Sequence, residues 1–504
     1  MRNGRCDIWH VHEDLPRDGL ESWITSPTDV KLLTLQRSVR LFAYGGSTII
    51  LALFLSHLNV SDQRIGLFMT LTLLGDVAIS LVLTVVADRI GRRRMLAFGA
   101  LMMAASGIIF ALFSNYWILV LASVLGVISP RYTSPRGTSC FMRLTDFSGN
   151  EIGPFKAIEE STISHLIPTS ERSNVLTWYI IAGLTGTASG TIIFGWLVQL
   201  LQVNHSWSPL ESYRVVFWVY AAFGLTKCLL VLLLSGRCEP AADRSISAAP
   251  VSEASPLLQQ QGENERLAPK DDLVNPSSRP WLPTLSQETR ALVVKLCFLF
   301  GLDSLASGLA PVTWMTYYFN HKYGLSEGHL GTLFFVAAVL SAASNLVAPA
   351  LARRLGLIKT MVFTHIPASL ALAAIPVPNN VALATTFLLF RASTNSMDQA
   401  PRQAFLAAAV QASERTAVMG IVNVVKTLSQ SAGPFVTGVF AYRQLFGLAF
   451  IIAGALKIVY DILMLVMFLG YQTVEERAQQ HVECEDGAES ANREEVAAGD
   501  AEVL

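Results

Sequence analysis

Six ionisable residues lie inside long apolar stretches of this 504-residue chain: Asp76, Glu151, Asp303, Arg391, Asp398 and Lys426. A charge in the hydrocarbon core of a membrane costs about 2.5–3.5 kcal/mol even on a lenient insertion scale, so such residues are functional candidates. A carboxyl group there can bind and release a proton, and an arginine can bind an anionic group. These residue types indicate a pathway for protons or for a charged solute.

Asp303 and Asp76 are the first candidates for a proton site. Each lies near the middle of its apolar stretch, and Arg391 lies near the middle of another. Arg391 has two interpretations, binding an anionic group or pairing with Asp303. For Asp76 and Lys426, a structural hydrogen bond to a neighbouring helix explains the residue as well as a role in coupling does.

Glu151 and Asp398 occupy matching positions in two stretches, each three residues before a proline, Pro154 and Pro401. A proline frees a backbone carbonyl and bends a helix, which suits a helix that must rock. The two acids are candidates for coupling. The alternative is a structural gate in which they pair with Arg402 or with a cytoplasmic loop.

Two further groups favour structural roles. Lys457 and Asp461 are four residues apart, so we predict that they neutralise each other on one helix face. Trp314, Tyr317 and Tyr318 end their stretch on its outer side. We predict that these rings form an interfacial belt, with the lining of a substrate site as the alternative.

Composition identifies the elements that must hold these residues. The chain is 52% hydrophobic and 15% charged, with a mean hydropathy of +0.44, whereas an ordinary soluble chain has about 25% charged residues. A membrane span needs about 20 mostly apolar residues, and a helix satisfies all its backbone groups internally. Twelve helical spans are predicted, near residues 38–57, 64–87, 95–114, 117–166, 174–201, 214–236, 291–319, 329–351, 358–376, 381–410, 416–441 and 445–470.

Charge and motif patterns exclude several functions. The chain has 37 basic and 38 acidic residues, so no basic field can neutralise phosphates, and we exclude nucleic acid as a partner. No Walker-type phosphate loop appears, and the six cysteines lack the spacing of a metal site. We therefore expect no enzyme activity, no cofactor and no metal. Transport would draw on an ion gradient or run downhill.

The loop charges predict that the N-terminus is cytoplasmic. With that orientation, nine basic residues fall in short cytoplasmic loops and four in external loops, as the positive-inside rule requires. Two sequons, at Asn59 and Asn204, then lie outside and are candidate glycosylation sites.

An internal repeat divides the spans into two halves. The motif at 61–66 recurs at 326–331 with an offset of 265, and Ser-Glu-Arg at 170–172 recurs at 413–415 with an offset of 243. Parallel repeats are typical of transporters whose site lies between the halves near mid-membrane. We predict a cytoplasmic segment (1–37), a first half (38–236), a disordered polar linker (237–290), a second half (291–470) and a disordered acidic tail (471–504).

The loop between spans 2 and 3, at 88–93, reads Asp-Arg-Ile-Gly-Arg-Arg and resembles the signature loop of the major facilitator superfamily. It departs from the pattern at Thr84, where the family has glycine, and the copy in the second half has Arg353 in place of the acid. The resemblance implies twelve transmembrane helices in two pseudo-symmetric six-helix bundles, with spans 1, 4, 7 and 10 lining a central cavity. It also implies a conformational latch on the cytoplasmic face, formed by Asp88, Arg89, Gly91, Arg92 and Arg93.

The resemblance predicts a monomeric secondary transporter of a small organic solute that works in the lipid bilayer by alternating access with proton coupling. The sequence at 235–240 departs from the sugar-porter pattern. Glycines at 183, 186, 190 and 195 resemble an antiporter motif and favour export, although helix packing also explains them. The alternatives are a proton-driven uptake permease and a non-transporting nutrient sensor.

Two sequence features concern the length of the natural protein and the membrane in which it lies. Residues 131–148 place Arg131, Arg136, Arg143 and Asp146 inside span 4, and the repeat offset falls from 265 to 247 across this interval. We hypothesise that these 18 residues are a translated, unspliced intron of short fungal size, with a genuine inserted loop as the alternative. A dileucine-like motif at 253–258 adds a vacuolar or endosomal membrane as the alternative to the plasma membrane.

Overall fold

The computed structural model describes residues 22–126, 154–168, 171–239, 287–410 and 414–468. All regular structure in those ranges is helical, which confirms the predicted all-α class. The first half contains helices Thr28–His57, Asp62–Ile90, Arg92–Leu112, Tyr116–Gly126, Pro154–Leu166, Arg172–Asn204 and Pro209–Leu232. The second half contains Gln287–Leu309, Val312–Tyr323, Glu327–Leu355, Leu357–Ala374, Val381–Asn395, Gln399–Ala409, Arg415–Tyr442 and Phe446–Phe468.

These helices correspond to the twelve predicted spans. Among the described residues, eight segments are long and apolar enough to cross a membrane by length and composition alone, and they correspond to spans 1, 3, 5, 6, 7, 8, 9 and 12. Spans 4 and 10 are each represented by two shorter helices, and spans 2 and 11 are continuous helices that carry polar residues.

Three span boundaries differ from the sequence prediction for physical reasons. Span 1 begins at Thr28 rather than near 38, because the Asp29 carboxylate in its first turn accepts hydrogen bonds from the Ser235 backbone N–H (2.8 Å) and hydroxyl (2.5 Å). Span 7 breaks at Pro311, which cannot donate a helical hydrogen bond. In span 10, Pro401 lies in the first turn of the second helix, where a missing N–H is tolerated.

The halves meet at two pairs of glycines that the repeat relates to each other. Gly66 of span 2 faces Gly438 of span 11, and Gly195 of span 5 faces Gly331 of span 8. A Cβ added to Gly438 would lie 3.0 Å from the Gly66 Cα, and one added to Gly331 would lie 3.2 Å from the Gly195 Cα. Small residues at these crossings let the helix backbones approach closely.

Packing inside each half follows the same repeat. Gly224 of span 6 contacts the backbone of Ala104 in span 3, and Gly454 of span 12 contacts the backbone of Ser369 in span 9. In span 5, Gly186 and Gly190 face the backbone of span 1. The span 5 glycines therefore all lie at close helix contacts, as the packing interpretation requires.

Candidate transport site

Each half encloses a cluster of buried charged residues. The first, called here the N-cluster, consists of Arg37, Arg40, Glu159, Glu160 and Lys227 on spans 1, 4 and 6. The fully buried Glu159 carboxylate lies 3.0 Å from Arg40 Nη2 and 3.4 Å from Lys227 Nζ, and it accepts a 2.7 Å hydrogen bond from the Tyr179 hydroxyl. Arg37 lies 3.9 Å from Glu160, with its guanidinium 4.1 Å from the centre of the Tyr179 ring.

The second half encloses the C-cluster, which consists of Asp303, His365, Asp398, Arg402, Lys457 and Asp461 on spans 7, 9, 10 and 12. Asp303 lies at its centre: one carboxylate oxygen is 2.7 Å from Lys457 Nζ, and the other is 2.8 Å from Arg402 Nη1. Lys457 also donates a 2.9 Å hydrogen bond to the Ser307 hydroxyl. Every acidic member of the cluster is at least nine-tenths buried.

A histidine links two carboxylates of the C-cluster. His365 Nδ1 lies 2.9 Å from Asp461 Oδ1, and His365 Nε2 lies 4.0 Å from Asp303 Oδ1. Asp398 pairs with Arg402 one helical turn away. The cluster is thus a continuous chain of polar contacts from Asp461 to Asp398 through the interior of the second half.

The comparisons with known proteins match this architecture. The Major Facilitator Superfamily profile matches residues 34–135, 153–397 and 296–486. The chain belongs to the Major Facilitator Superfamily. This confirms the family and fold predicted from the signature loop, and the family consists of membrane transporters rather than enzymes.

Similar proteins and structures agree with the assignment to the superfamily. An uncharacterized membrane protein of Saccharomyces cerevisiae is 35% identical over 453 residues, covering 88% of this chain and 94% of that protein. A bacterial homologue of the human lysosomal transporter Spinster, in an inward-facing and occupied conformation, has a TM-score of 0.61 at 14% identity, covering 87% of this chain and 95% of that chain. The Escherichia coli xylose transporter, partially occluded and inward open, has a TM-score of 0.59 at 12% identity, covering 89% and 99%.

The signature loop of the superfamily has a partner that sequence reasoning missed. Gly91 begins span 3 with φ +98°, and the Glu239 carboxylate accepts hydrogen bonds from the backbone N–H groups of Arg92 (2.8 Å) and Arg93 (3.1 Å). Asp88 and Arg89 lie in the last turn of the span 2 helix, and their side chains are outside the described part of the structure.

At the end of the molecule that the loop charges predict to be external, the two halves contact each other. Tyr317, in the second helix of span 7, donates a 2.8 Å hydrogen bond to Asp62 and lies 3.4 Å from the Ser56 hydroxyl. Trp314 is fully buried and donates a hydrogen bond to the Pro434 carbonyl at 3.2 Å. The predicted aromatic belt is therefore wrong for Trp314 and Tyr317, because Trp314 is buried inside the second half and Tyr317 is buried in contact with the first half.

The structure assigns other partners to several predicted residues. Lys457 pairs with Asp303 and Asp461 with His365, so the predicted Lys457–Asp461 pair is wrong: the neighbouring spans supply closer partners. Asp303 pairs with Lys457 and Arg402 rather than with Arg391. Asp398 contacts Arg402, the partner named in its structural interpretation.

The remaining predicted residues lie apart from the two clusters or beyond the described ranges. Asp76 is buried in span 2, and Lys426 Nζ lies 5.9 Å from the centre of the Phe300 ring. Asn59 and Asn204 are exposed, as a glycosylation site requires. Glu151, the interval 131–148 and the motif at 253–258 lie outside the described residues.

Six members of the two clusters were not identified from the sequence: Arg37, Arg40, Glu159, Glu160, Lys227 and His365. One signal could have found Lys227, because Gly-x-x-Lys at 224–227 recurs at 454–457 with an offset of 230. The repeat therefore marks the two lysines as equivalent. His365 has no counterpart in the repeat, and only the packing of span 9 against span 12 reveals its role.

Proposed function

We propose that this protein is a proton-coupled secondary transporter of a small organic solute and that the C-cluster holds the coupling proton. The observation that carries the proposal is the charge count of this cluster. Three carboxylates, Asp303, Asp398 and Asp461, face two permanent cations, Arg402 and Lys457. One additional proton makes the buried cluster neutral, and a neutral cluster is far easier to keep out of water than a charged one.

The proton binds at the pair formed by His365 and Asp461. The Asp303 carboxylate already forms ion pairs with Lys457 and Arg402, and the Asp398 carboxylate forms one with Arg402. His365 is the histidine of the cluster, and imidazole is the side chain whose charge changes near physiological pH. The titratable and charged groups around it are Asp461, Tyr460 and Lys457 of span 12, Asp303 of span 7, and Asp398 and Arg402 of span 10.

Coupling follows from the position of the cluster between moving helices. Spans 7 and 10 line the central cavity in this superfamily, whereas spans 9 and 12 support them. A proton on His365 strengthens the attraction of span 9 for Asp461 on span 12 and for Asp303 on span 7, and so changes how firmly the supporting spans hold a cavity helix. Protonation thus biases the equilibrium between outward and inward states by its differential interaction with each state.

The test is proton flux in vesicles that contain the purified protein and a pH-sensitive dye. We expect a solute from a broad panel to change the internal pH with the wild-type protein, and we expect His365→Gln and Asp461→Asn to abolish the pH change while retaining the fold. His205→Gln, an exposed histidine at the outer end, is the matched control. Export in exchange for protons and uptake together with protons give opposite signs of the pH change.

Two results would contradict the proposal. Unchanged proton flux in His365→Gln and Asp461→Asn would remove the proton site. A silent wild-type protein across the whole panel would argue against transport and for the sensor alternative.

A further inference from the structure

Arg391 has no acidic partner in the described part of the structure. It lies in the first helix of span 10, Val381–Asn395, and is half-buried. Its Nη1 atom lies 3.9 Å from the Met315 sulfur, and its buried Nε atom makes no hydrogen bond. A thioether is a weak acceptor and carries no charge, so the guanidinium is left without a counter-ion.

The acids of the neighbouring spans are already paired. Asp303, Asp398 and Asp461 all belong to the C-cluster, in which Arg402, Lys457 and His365 occupy them. A cation at membrane depth without a counter-ion is energetically unfavourable and marks a functional position. A bound anion would supply the counter-ion that the Arg391 guanidinium lacks.

The side chain of Arg391 reaches across to span 7. Its contact, Met315, belongs to the second helix of that span, Val312–Tyr323. Spans 7 and 10 are the two spans of the second half that line the central cavity in this superfamily. Arg391 lies at the contact between these two spans and keeps partial exposure, which leaves room for a solute to contact it.

We propose that Arg391 binds the oxyanion group of a small organic anion and that this anion is the transported solute. The inference rests on the proposed transport function and names its substrate class. The planar guanidinium matches a carboxylate or phosphate with two parallel hydrogen bonds. The flexible, polarizable Met315 side chain beside it provides an apolar surface for the carbon skeleton of the solute.

The test is ligand-induced thermal stabilisation of the purified protein. The probes are benzoate, succinate and glycerol phosphate, together with benzamide, succinamide and glycerol as uncharged analogues. We expect at least one anion, and none of the uncharged analogues, to stabilise the wild-type protein. Arg391→Gln should weaken its binding by about tenfold or more, the loss expected for charge-assisted hydrogen bonds. Arg391→Lys should be intermediate, because it keeps the charge and loses the fork.

Lys295→Gln is the matched control, since it removes an exposed positive charge from the same half, and it should bind like the wild type. If Arg391→Gln fails to fold, Arg391→Lys still gives the comparison. Unchanged anion binding in either folded Arg391 variant, equal binding of the uncharged analogues, or no binding of any anion to the wild type would overturn the inference.

The outcomes separate this inference from the proposed function. Anion binding that depends on Arg391 but causes no proton flux would uphold the anion site and contradict coupling. Proton-coupled transport of a neutral or cationic solute that is unaffected in Arg391→Gln would uphold coupling and contradict the anion site.

Discussion

The N-cluster and the C-cluster occupy related places in the two halves, yet their charges are exchanged. In the first half, the central acid Glu159 lies on span 4 and its arginine partner Arg40 on span 1. In the second half, the central acid Asp303 lies on span 7 and its arginine partner Arg402 on span 10. Spans 1 and 7, and spans 4 and 10, correspond in the repeat, so acid and base have changed places.

The lysine is the part that the two clusters share. Lys227 on span 6 reaches Glu159 at 3.4 Å, and its repeat partner Lys457 on span 12 reaches Asp303 at 2.7 Å. Each cluster therefore fastens its last span to a cavity helix by a lysine–carboxylate pair. The shared lysine holds the bundle together, and the exchanged groups are where the halves can differ in function.

The two clusters also differ in their titratable groups. The C-cluster has three carboxylates, two cations and His365, whereas the N-cluster as defined above contains no histidine. A cluster one proton short of neutrality responds to pH. Under the proposed function, the same fold position therefore holds a structural ion-pair network in one half and a titrating switch in the other.

The largest expected effect concerns spans 4 and 10, which the predicted insertion at 131–148 makes unequal. The superfamily profile leaves residues 136–152 unmatched, which overlaps this interval. We predict that deleting residues 131–148 raises the yield of folded protein several-fold. The deletion removes four charges from the predicted span 4, a relief on the order of 10 kcal/mol on the insertion scale. Yield is measured by size-exclusion chromatography of the detergent-extracted protein.

Sequencing the mature transcript gives the independent control. A transcript that retains these codons, together with a deletion variant that no longer folds, would make the intron hypothesis wrong and favour a genuine loop. Deleting a segment of the same length from the linker at 237–290 controls for shortening the chain.

The next largest effect is expected from replacing the central acids of the two clusters, Glu159 and Asp303. We predict that Glu159→Gln lowers the free energy of unfolding by about 3–5 kcal/mol, since it removes a fully buried carboxylate that Arg40, Lys227 and the Tyr179 hydroxyl share. Asp303→Asn should cost about 1–3 kcal/mol, because Arg402 keeps Asp398 and Lys457 keeps the Ser307 hydroxyl. Thermal midpoints in detergent give the order of the two effects.

The pH dependence of stability is a second test of the difference between the two clusters. Asp303→Asn leaves two carboxylates and two permanent cations in the C-cluster, so no extra proton is needed for neutrality. We therefore expect the wild-type protein to gain stability on mild acidification, as the cluster takes up its missing proton, and we expect this variant to show no such gain. Glu211→Gln, at an exposed helix cap, is the control and should retain the gain. If Glu159→Gln and Asp303→Asn lowered the free energy of unfolding equally, the proposed difference between the clusters would be wrong.

Hydropathy and the repeat predicted the all-helical class, and the signature loop predicted the family and its fold. They also selected Asp303 and Asp398 correctly as buried charged residues, because an isolated acid in an apolar stretch is visible in one dimension. The partners were not visible. Lys457 and Asp461 have the spacing of a helical ion pair, but Asp303 and His365 approach them from other spans and form the closer contacts.

Glu159 and Arg40 show the other limit of sequence reasoning. Arg40 lies close to the predicted start of span 1, where a positive charge is expected from topology, so its pairing with Glu159 could not be inferred. Span 1 instead begins at Thr28, which places Arg40 inside the bundle. The boundary depends on the Asp29–Ser235 contact across 206 residues, and no local pattern encodes such a contact.

The smallest expected effect concerns two equivalent turns, the one between spans 2 and 3 and the one between spans 8 and 9. Gly91 and Gly356 are repeat partners, each with positive φ, +98° and +84°, and each at the start of a span. Alanine at either position should cost about 1 kcal/mol from the backbone strain alone. A Cβ at Gly91 would also lie 3.0 Å from the Glu239 carboxylate, whereas nothing lies within 4 Å of one at Gly356.

We therefore predict that Gly91→Ala lowers the thermal midpoint more than Gly356→Ala does. The added methyl group pushes away the carboxylate that accepts the N–H groups of Arg92 and Arg93, a helix-end interaction of about 0.3–2 kcal/mol. In a Glu239→Gln background the gap between the two alanine variants should narrow. A gap that stays the same in that background would mean that Glu239 does not distinguish the two turns, and the asymmetry of the halves would then be confined to their buried clusters.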